Sequence, residues 1–293
     1  MGTSGTFGGS KNGLVPSWVD EPASPPAAAP DNAEPDSTDG DGGGGPDQNG
    51  EAPAGPAPAQ AYPPIPAIPA SSGLGGARGN ITRGARTSDE RAMRRGAGRY
   101  VSASGGGRAA ASRMPNSRAV AGGVAGLARN FVNQGPAEAL KRFNLEGMAG
   151  APAEDVFVAL TDMLCPAGGT IDEAIARDAM LETVADLAAA GVGNFDELSA
   201  DDLREFFIGV VSRSIEGKIL NEVGTNAIAA PSDIGGVERA QAMLHDFVEG
   251  CVRDEFDARE TDLSDLDAAS IDSFVDDLYG AALDLVEALG DDG

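Results

Sequence analysis

The chain is poor in most of what catalysis uses. Among 293 residues there is one histidine, His245, one tryptophan, Trp18, and two cysteines, Cys165 and Cys251, while aromatics make up only 5%. One histidine cannot build a histidine metal cage, and two isolated cysteines cannot build a structural zinc site or a disulfide scaffold. Glu-x-x-His pairs of the kind that hold di-iron centres are missing from the helical half. The glycine clusters Gly42–Gly45 and Gly105–Gly107 neither follow a strand nor carry the Lys-Ser/Thr of a phosphate loop. The acidic run from Asp254 to Asp267 lacks the order of a calcium loop and reads as a solvated or partner-facing patch. No apolar run approaches the roughly 20 residues that span a bilayer. The N-terminus has no basic flank before an apolar stretch, so it is not a secretory signal. These absences argue for a cytoplasmic protein with reduced thiols, and against an enzyme. His245, at the edge of an apolar helix face, reads as structural. Cys251 shares an apolar stripe, and Cys165 sits at a helix end.

What is present is unevenly distributed. The formal net charge is -25. Residues 1–72 carry Lys11 and nine acids, residues 73–118 carry ten arginines against Asp89 and Glu90, and the remainder carries ten basic and 35 acidic residues. The blocks are thus -8, +8 and -25, and such asymmetry points to segments with different partners. Four regions follow: a presented motif at 1–20, an acidic Pro/Gly/Ala/Asp-rich linker at 21–86, an Arg-rich connector at 87–118 that is partly helical, and an acidic all-α domain at 119–293. The linker has too little to bury to offset ~1–2 kcal/mol of backbone ordering per residue, so disorder is expected. Its Pro63-x-x-Pro66-x-x-Pro69 stretch reads as a semi-stiff spacer.

Beyond Ala119 the apolar period is helical. Helices are predicted over Ala119–Asn133, Ala137–Phe143 and Ala153–Leu164. Thr170-Ile-Asp-Glu173 is a capping box for a helix running to Ala190 and closed by Gly191. Ser199 caps the next, with Leu203, Phe206, Phe207, Val210 and Val211 on one face. Ser232 or Asp233 caps another, with Ala240, Leu244, Val248, Cys251 and Val252 aligned. The last is predicted from about Leu266 to Leu289, with Ile271, Val275, Leu278, Tyr279, Val286 and Leu289 in its stripe. Upstream, Thr87 or Ser88 is the expected cap of a short helix running toward Val101. No segment alternates as a strand would.

The tail begins Met1-Gly2-Thr3-Ser4 and continues to Leu14-Val15-Pro16-Ser17-Trp18. A small second residue allows removal of Met1, which would leave Gly2 with a free amine. A solubilising tail has no use for the chain's only tryptophan, so Leu14, Val15, Pro16 and Trp18 read as an anchor for a partner. Met1–Thr6 also fits the generic myristoylation pattern. One acyl chain holds a membrane only marginally and needs a basic helper, whereas the residues that follow are acidic, so no membrane partner is expected. These features resemble the QatB family of bacterial anti-phage defence operons, through Gly2-Thr3-Ser4, the Leu14–Trp18 box, Gly98-Arg99-Tyr100-Val101 and Arg108–Met114. The resemblance implies neighbours that include an ATPase, a QueC-like enzyme and a TatD-like nuclease. It further implies that the QueC-like enzyme joins a deazaguanine to Gly2 through an amide, with Thr3, Ser4 and the Trp18 box recognised. No cofactor is expected apart from that covalent adduct.

Ten arginines between Arg78 and Arg118, without lysine, form a further signal. Arg91, Arg94, Arg95 and Arg99 are candidate anion or partner contacts. Arginine favours bidentate carboxylate or phosphate pairing, so nucleic acid, a partner protein and the chain's own acidic domain all fit. The overall negative charge weakens long-range attraction to DNA and favours docking within the chain or on a protein. A nucleic-acid-binding adaptor is the alternative function.

Overall fold

The computed structural model describes residues 73–165, 168–224 and 234–291. The motif expected at 1–20 and residues 21–72 of the linker expected at 21–86 lie outside them. Among the described residues there are ten α-helices and no strand; a single bridge joins Pro152 to Asn194. The helices are α1 (Gly75–Thr87), α2 (Glu90–Ala103), α3 (Gly107–Ala111), α4 (Pro115–Gln134), α5 (Pro136–Lys141), α6 (Ala153–Leu164), α7 (Ile171–Ala189), α8 (Ala200–Val223), α9 (Ile234–Asp257) and α10 (Ile271–Asp291). The all-α fold read from the apolar period is the fold observed.

The capping boxes expected at Thr170 and Ser199 are formed, while the cap expected at Ser232 or Asp233 lies outside the described residues. Thr170 Oγ1 accepts from Glu173 N at 3.2 Å while Glu173 Oε2 accepts from Thr170 N at 3.1 Å. Ser199 and Asp202 make the equivalent pair at 3.1 and 2.8 Å. Each box satisfies two backbone donors that a helix start leaves open. Pro115 and Pro136 open α4 and α5, where a missing N–H costs nothing.

The helices share one apolar core. α8 packs on α4, α7 and α9, while α10 packs on α2, α3, α4 and α9. Two aromatic clusters mark its centre. Phe157 stacks on Phe206 with centroids 3.9 Å apart, and Phe195 meets Phe131 edge-on at 5.2 Å. Phe256 contacts both Phe207 and Phe274. Leu203, Phe206, Phe207, Val210 and Val211 are buried, as their spacing required.

Three expectations are corrected. Among the described residues, helix and core begin at Gly75, inside the segment read as linker and well before Ala119. Ala77 and Ile81 of α1 are fully buried and Ala85 nearly so, packed on α2. Asp89, not Thr87 or Ser88, caps α2: its Oδ1 accepts from Ala92 N at 3.1 Å. Ser88 instead turns left-handed, with φ 52°, to close α1. The final helix starts at Ile271 rather than near Leu266, and Leu289 is exposed. Leu263 and Leu266 are buried in the preceding connection, where Arg129 Nε donates to Leu266 O at 2.6 Å and Asn133 Nδ2 to Ser264 O at 2.7 Å. Those two bonds hold the connection against α4.

Candidate functional site

Of the residues singled out from the sequence, Gly2, Thr3, Ser4, Leu14, Val15, Pro16 and Trp18 lie outside the described residues. Arg91, Arg94, Arg95 and Arg99 all lie on α2. The helices around them meet almost backbone to backbone. A Cβ on Gly84 would sit 2.9 Å from Met93 N, and one on Gly96 would meet the Ile81 side chain at 2.5 Å and Ile81 N at 2.9 Å, so the α1–α2 approach leaves no room for a side chain at either glycine. On another side of α2, a Cβ on Gly98 would lie 3.0 Å from Gly290 Cα of α10. Ala92, Met93, Ala97, Tyr100 and Val101 are buried. The remaining strip carries Arg91, Arg95 and Arg99 at i, i+4 and i+8, the spacing that aligns side chains along one face.

The four candidate arginines do not form one cluster. Arg94 turns toward α9, with its guanidinium 5.5 Å from the Phe247 ring centre and 3.7 Å from Glu90. Arg95 is half-buried and engaged within the chain. Arg91 and Arg99 are exposed. Most other arginines of the segment meet groups of the body. Arg108 lies 3.5 Å from Asp277, Arg118 pairs with Asp276, and Arg78 Nε donates to Val223 O at 2.7 Å. Arg113 is largely buried, 3.5 Å from Glu222 and bonded to Ser104 O at 2.6 Å. Arg83 pairs with Asp89 at 3.2 Å across the α1–α2 turn. Tyr100, interleaved with the arginines in sequence, is 1% exposed, and burial raises its phenol pKa, with the Glu222 charge adding to the effect. It offers no ring to a ligand.

Other reactive groups are held in structural settings. Burial pushes Cys165 up to about 11 and Cys251 up to about 12, so neither is a thiolate near neutrality. His245 is wedged between carboxylates. Its Nδ1 is 3.0 Å from Glu216 Oε2 and its Nε2 is 3.3 Å from Glu249 Oε2. The hydrogen bond to Glu216 raises its pKa, against the opposing effect of burial. Arg253 bridges Glu249 and Glu205 at 2.7 and 2.6 Å, and Arg213 joins Glu182 and Asp186. This network borders a groove of about 390 Å³ floored by Leu187, Val192 and Phe206. Sequence reading treated His245 as a lone residue. Glu249, four positions on, was the available signal; Glu216 comes from another helix. Among the described residues no group of three or more His, Cys, Asp or Glu is placed to hold a metal ion, and no helix is long and apolar enough to cross a membrane.

A family model described as "Qat anti-phage system associated protein QatB" matches residues 105–286. The match starts just after α2 and runs through most of α10, more than half of the chain. No curated protein and no solved structure matches.

Proposed function

The chain belongs to the QatB family, a component of the Qat anti-phage system, and we propose that within this system it is a non-enzymatic cytoplasmic protein whose N-terminal glycine is a substrate. The helical body docks on operon partners, and residues 1–20 are presented to a QueC-like enzyme. With Met1 removed, the Gly2 amine attacks an activated deazaguanine carboxylate. A C–N bond forms, the activating group leaves with its electron pair, and the amine loses a proton to give an amide. An ATPase and a TatD-like nuclease are the other expected partners.

The observation that carries this reading is the family match to the helical body, on a chain whose tail carries Gly2-Thr3-Ser4 and the Leu14–Trp18 box. The setting of the reactive groups in the body supports it: both thiols are buried, and the single histidine is engaged by Glu216 and Glu249. The test is the intact mass of the protein made with its complete operon. The expected mass is the Met-less chain plus one amide-linked deazaguanine, lost in Gly2→Pro, whose ring amine is hindered. A mass equal to the unmodified Met-less chain under conditions where defence operates overturns the reading.

A further inference from the structure

Three arginines stand apart in a chain with 46 acidic residues. Arg86 at the end of α1, and Arg91 and Arg99 on α2, are exposed, and among the described residues none of their guanidiniums meets a carboxylate or donates a bond to the body. Every other arginine of the segment is engaged, including Arg83 with Asp89 and Arg108 with Asp277. The unengaged ones lie on a single hairpin, whose helices are fixed by the backbone contacts at Gly84 and Gly96. From Arg91 to Arg99 is about 12 Å along a helix rising ~1.5 Å per residue. That length spans three to four phosphates of one strand at ~3.4 Å each.

We propose that this α1–α2 face binds the phosphate backbone of double-stranded nucleic acid without reading sequence. Two observations select this occupant over an acidic protein. Protein interfaces are centred on buried aromatic or aliphatic anchors, and the exposed large hydrophobics among the described residues are Val132, Val158, Met163, Ile171, Leu181 and Leu289, none of them on α1 or α2. What accompanies the arginines there is small and polar: Gly75, Gly79, Thr87, Ser88 and Ser102 are exposed. Such a surface allows a backbone to approach closely, and guanidinium groups grip phosphate bidentately. A duplex is favoured over a single strand because single strands are held by base stacking on aromatics, and Tyr100, the only aromatic of the hairpin, is buried. Acids of the body more than ~8 Å from this face are largely screened at physiological ionic strength, and the hairpin's own acids, Asp89 and Glu90, pair with Arg83 and Arg94.

The inference is independent of Gly2, so its failure leaves the modification reading standing, and the reverse. Anisotropy of a labelled 20-base-pair duplex titrated with the full chain tests it. Three phosphate contacts predict a slope near -2.7 of log affinity against log salt, which is about a 40-fold loss between 50 and 200 mM. Replacing Arg86, Arg91 and Arg99 together by glutamine should remove binding at low salt. The triple lysine variant should keep the slope, and Arg108→Gln should bind as the parent does. Unchanged thermal melting of the glutamine variant establishes that it is folded, and Arg99→Gln alone, expected to reduce the slope by about 0.9, serves if it is not. No duplex binding at 50 mM salt, or full binding by the folded glutamine variant, overturns the proposal. So does a parent that binds no duplex while the glutamine variant fails to co-purify with the other proteins of the operon; the face is then a protein contact.

Discussion

Where the folded body starts can be decided by two truncations that differ by fourteen residues. Deleting 1–72 stops short of α1, whereas deleting 1–86 removes nearly all of it. In the second case the burial that α1 loses is set against the ordering cost of its own residues, which disappears with them. What remains is the damage to α2. Met93, fully buried, loses the cover of the backbone around Gly84, and Ala92 and Ala97 lose part of their shelter. Exposing one methionine costs ~2 kcal/mol and each alanine methyl ~0.8 at most, or about 3 kcal/mol together. In a domain of 150–250 residues each kcal/mol moves the melting temperature by ~2–4 °C. The chain lacking 1–86 should therefore melt about 6–12 °C below the chain lacking 1–72, which should melt with the full-length protein. Circular dichroism at 222 nm follows both. Coincident melts of the two truncations would refute the assignment of α1 to the core.

Two further outcomes follow from the packing. His245 has a raised pKa, so the stability it contributes is complete below its ordinary value of about 6.5 and is lost as pH rises through the raised one. Urea midpoints should fall across that interval, from about 6.5 upward, in the parent, and His245→Gln should remove the step. Gly107→Ala places a methyl against Gly280 O and 2.5 and 2.6 Å from Asp284 Oδ1 and N, so backbone as well as the Asp284 side chain must give way. It should lower stability by ~1–3 kcal/mol in a denaturant melt, whereas Gly79→Ala, facing open space in α1, should be neutral or stabilising by up to ~1 kcal/mol.

Helices with large aliphatic stripes and paired caps were legible residue by residue. The capping boxes at Thr170 and Ser199 are local chemistry, and the α8 stripe is wide. α1 was not legible, because Gly75, Gly76, Gly79 and Gly84 each weaken an isolated helix by about 1 kcal/mol relative to alanine. Its inward face is only Ala77, Ile81 and Ala85, and that face is stable because α2 meets it at backbone distance. Leu266 was misassigned to a helix for a related reason. The bond to Arg129, 137 residues earlier, that holds it in a connection is invisible to periodicity. The same limit applied to the arginines. Composition marked the segment, but only tertiary pairing separates Arg108, Arg113 and Arg118, which meet carboxylates of α8 and α10, from Arg86, Arg91 and Arg99, which do not.

The seat of α2 and α3 on α10 also fixes an order of events during synthesis. Gly107 N donates to Asp284 Oδ1 at 2.7 Å, across 177 residues of chain, and Gly98 rests against Gly290. These contacts cannot exist on the ribosome until α10 has been made, and closing so long a loop delays them further. Residues 1–72 are translated first and spend that interval attached to a body that has not closed. Methionine excision acts on such growing chains. On the proposed reading, a modifying enzyme that recognised only the first few residues would reach Gly2 in the same window, whereas one that also gripped the closed helical body would have to wait for α10.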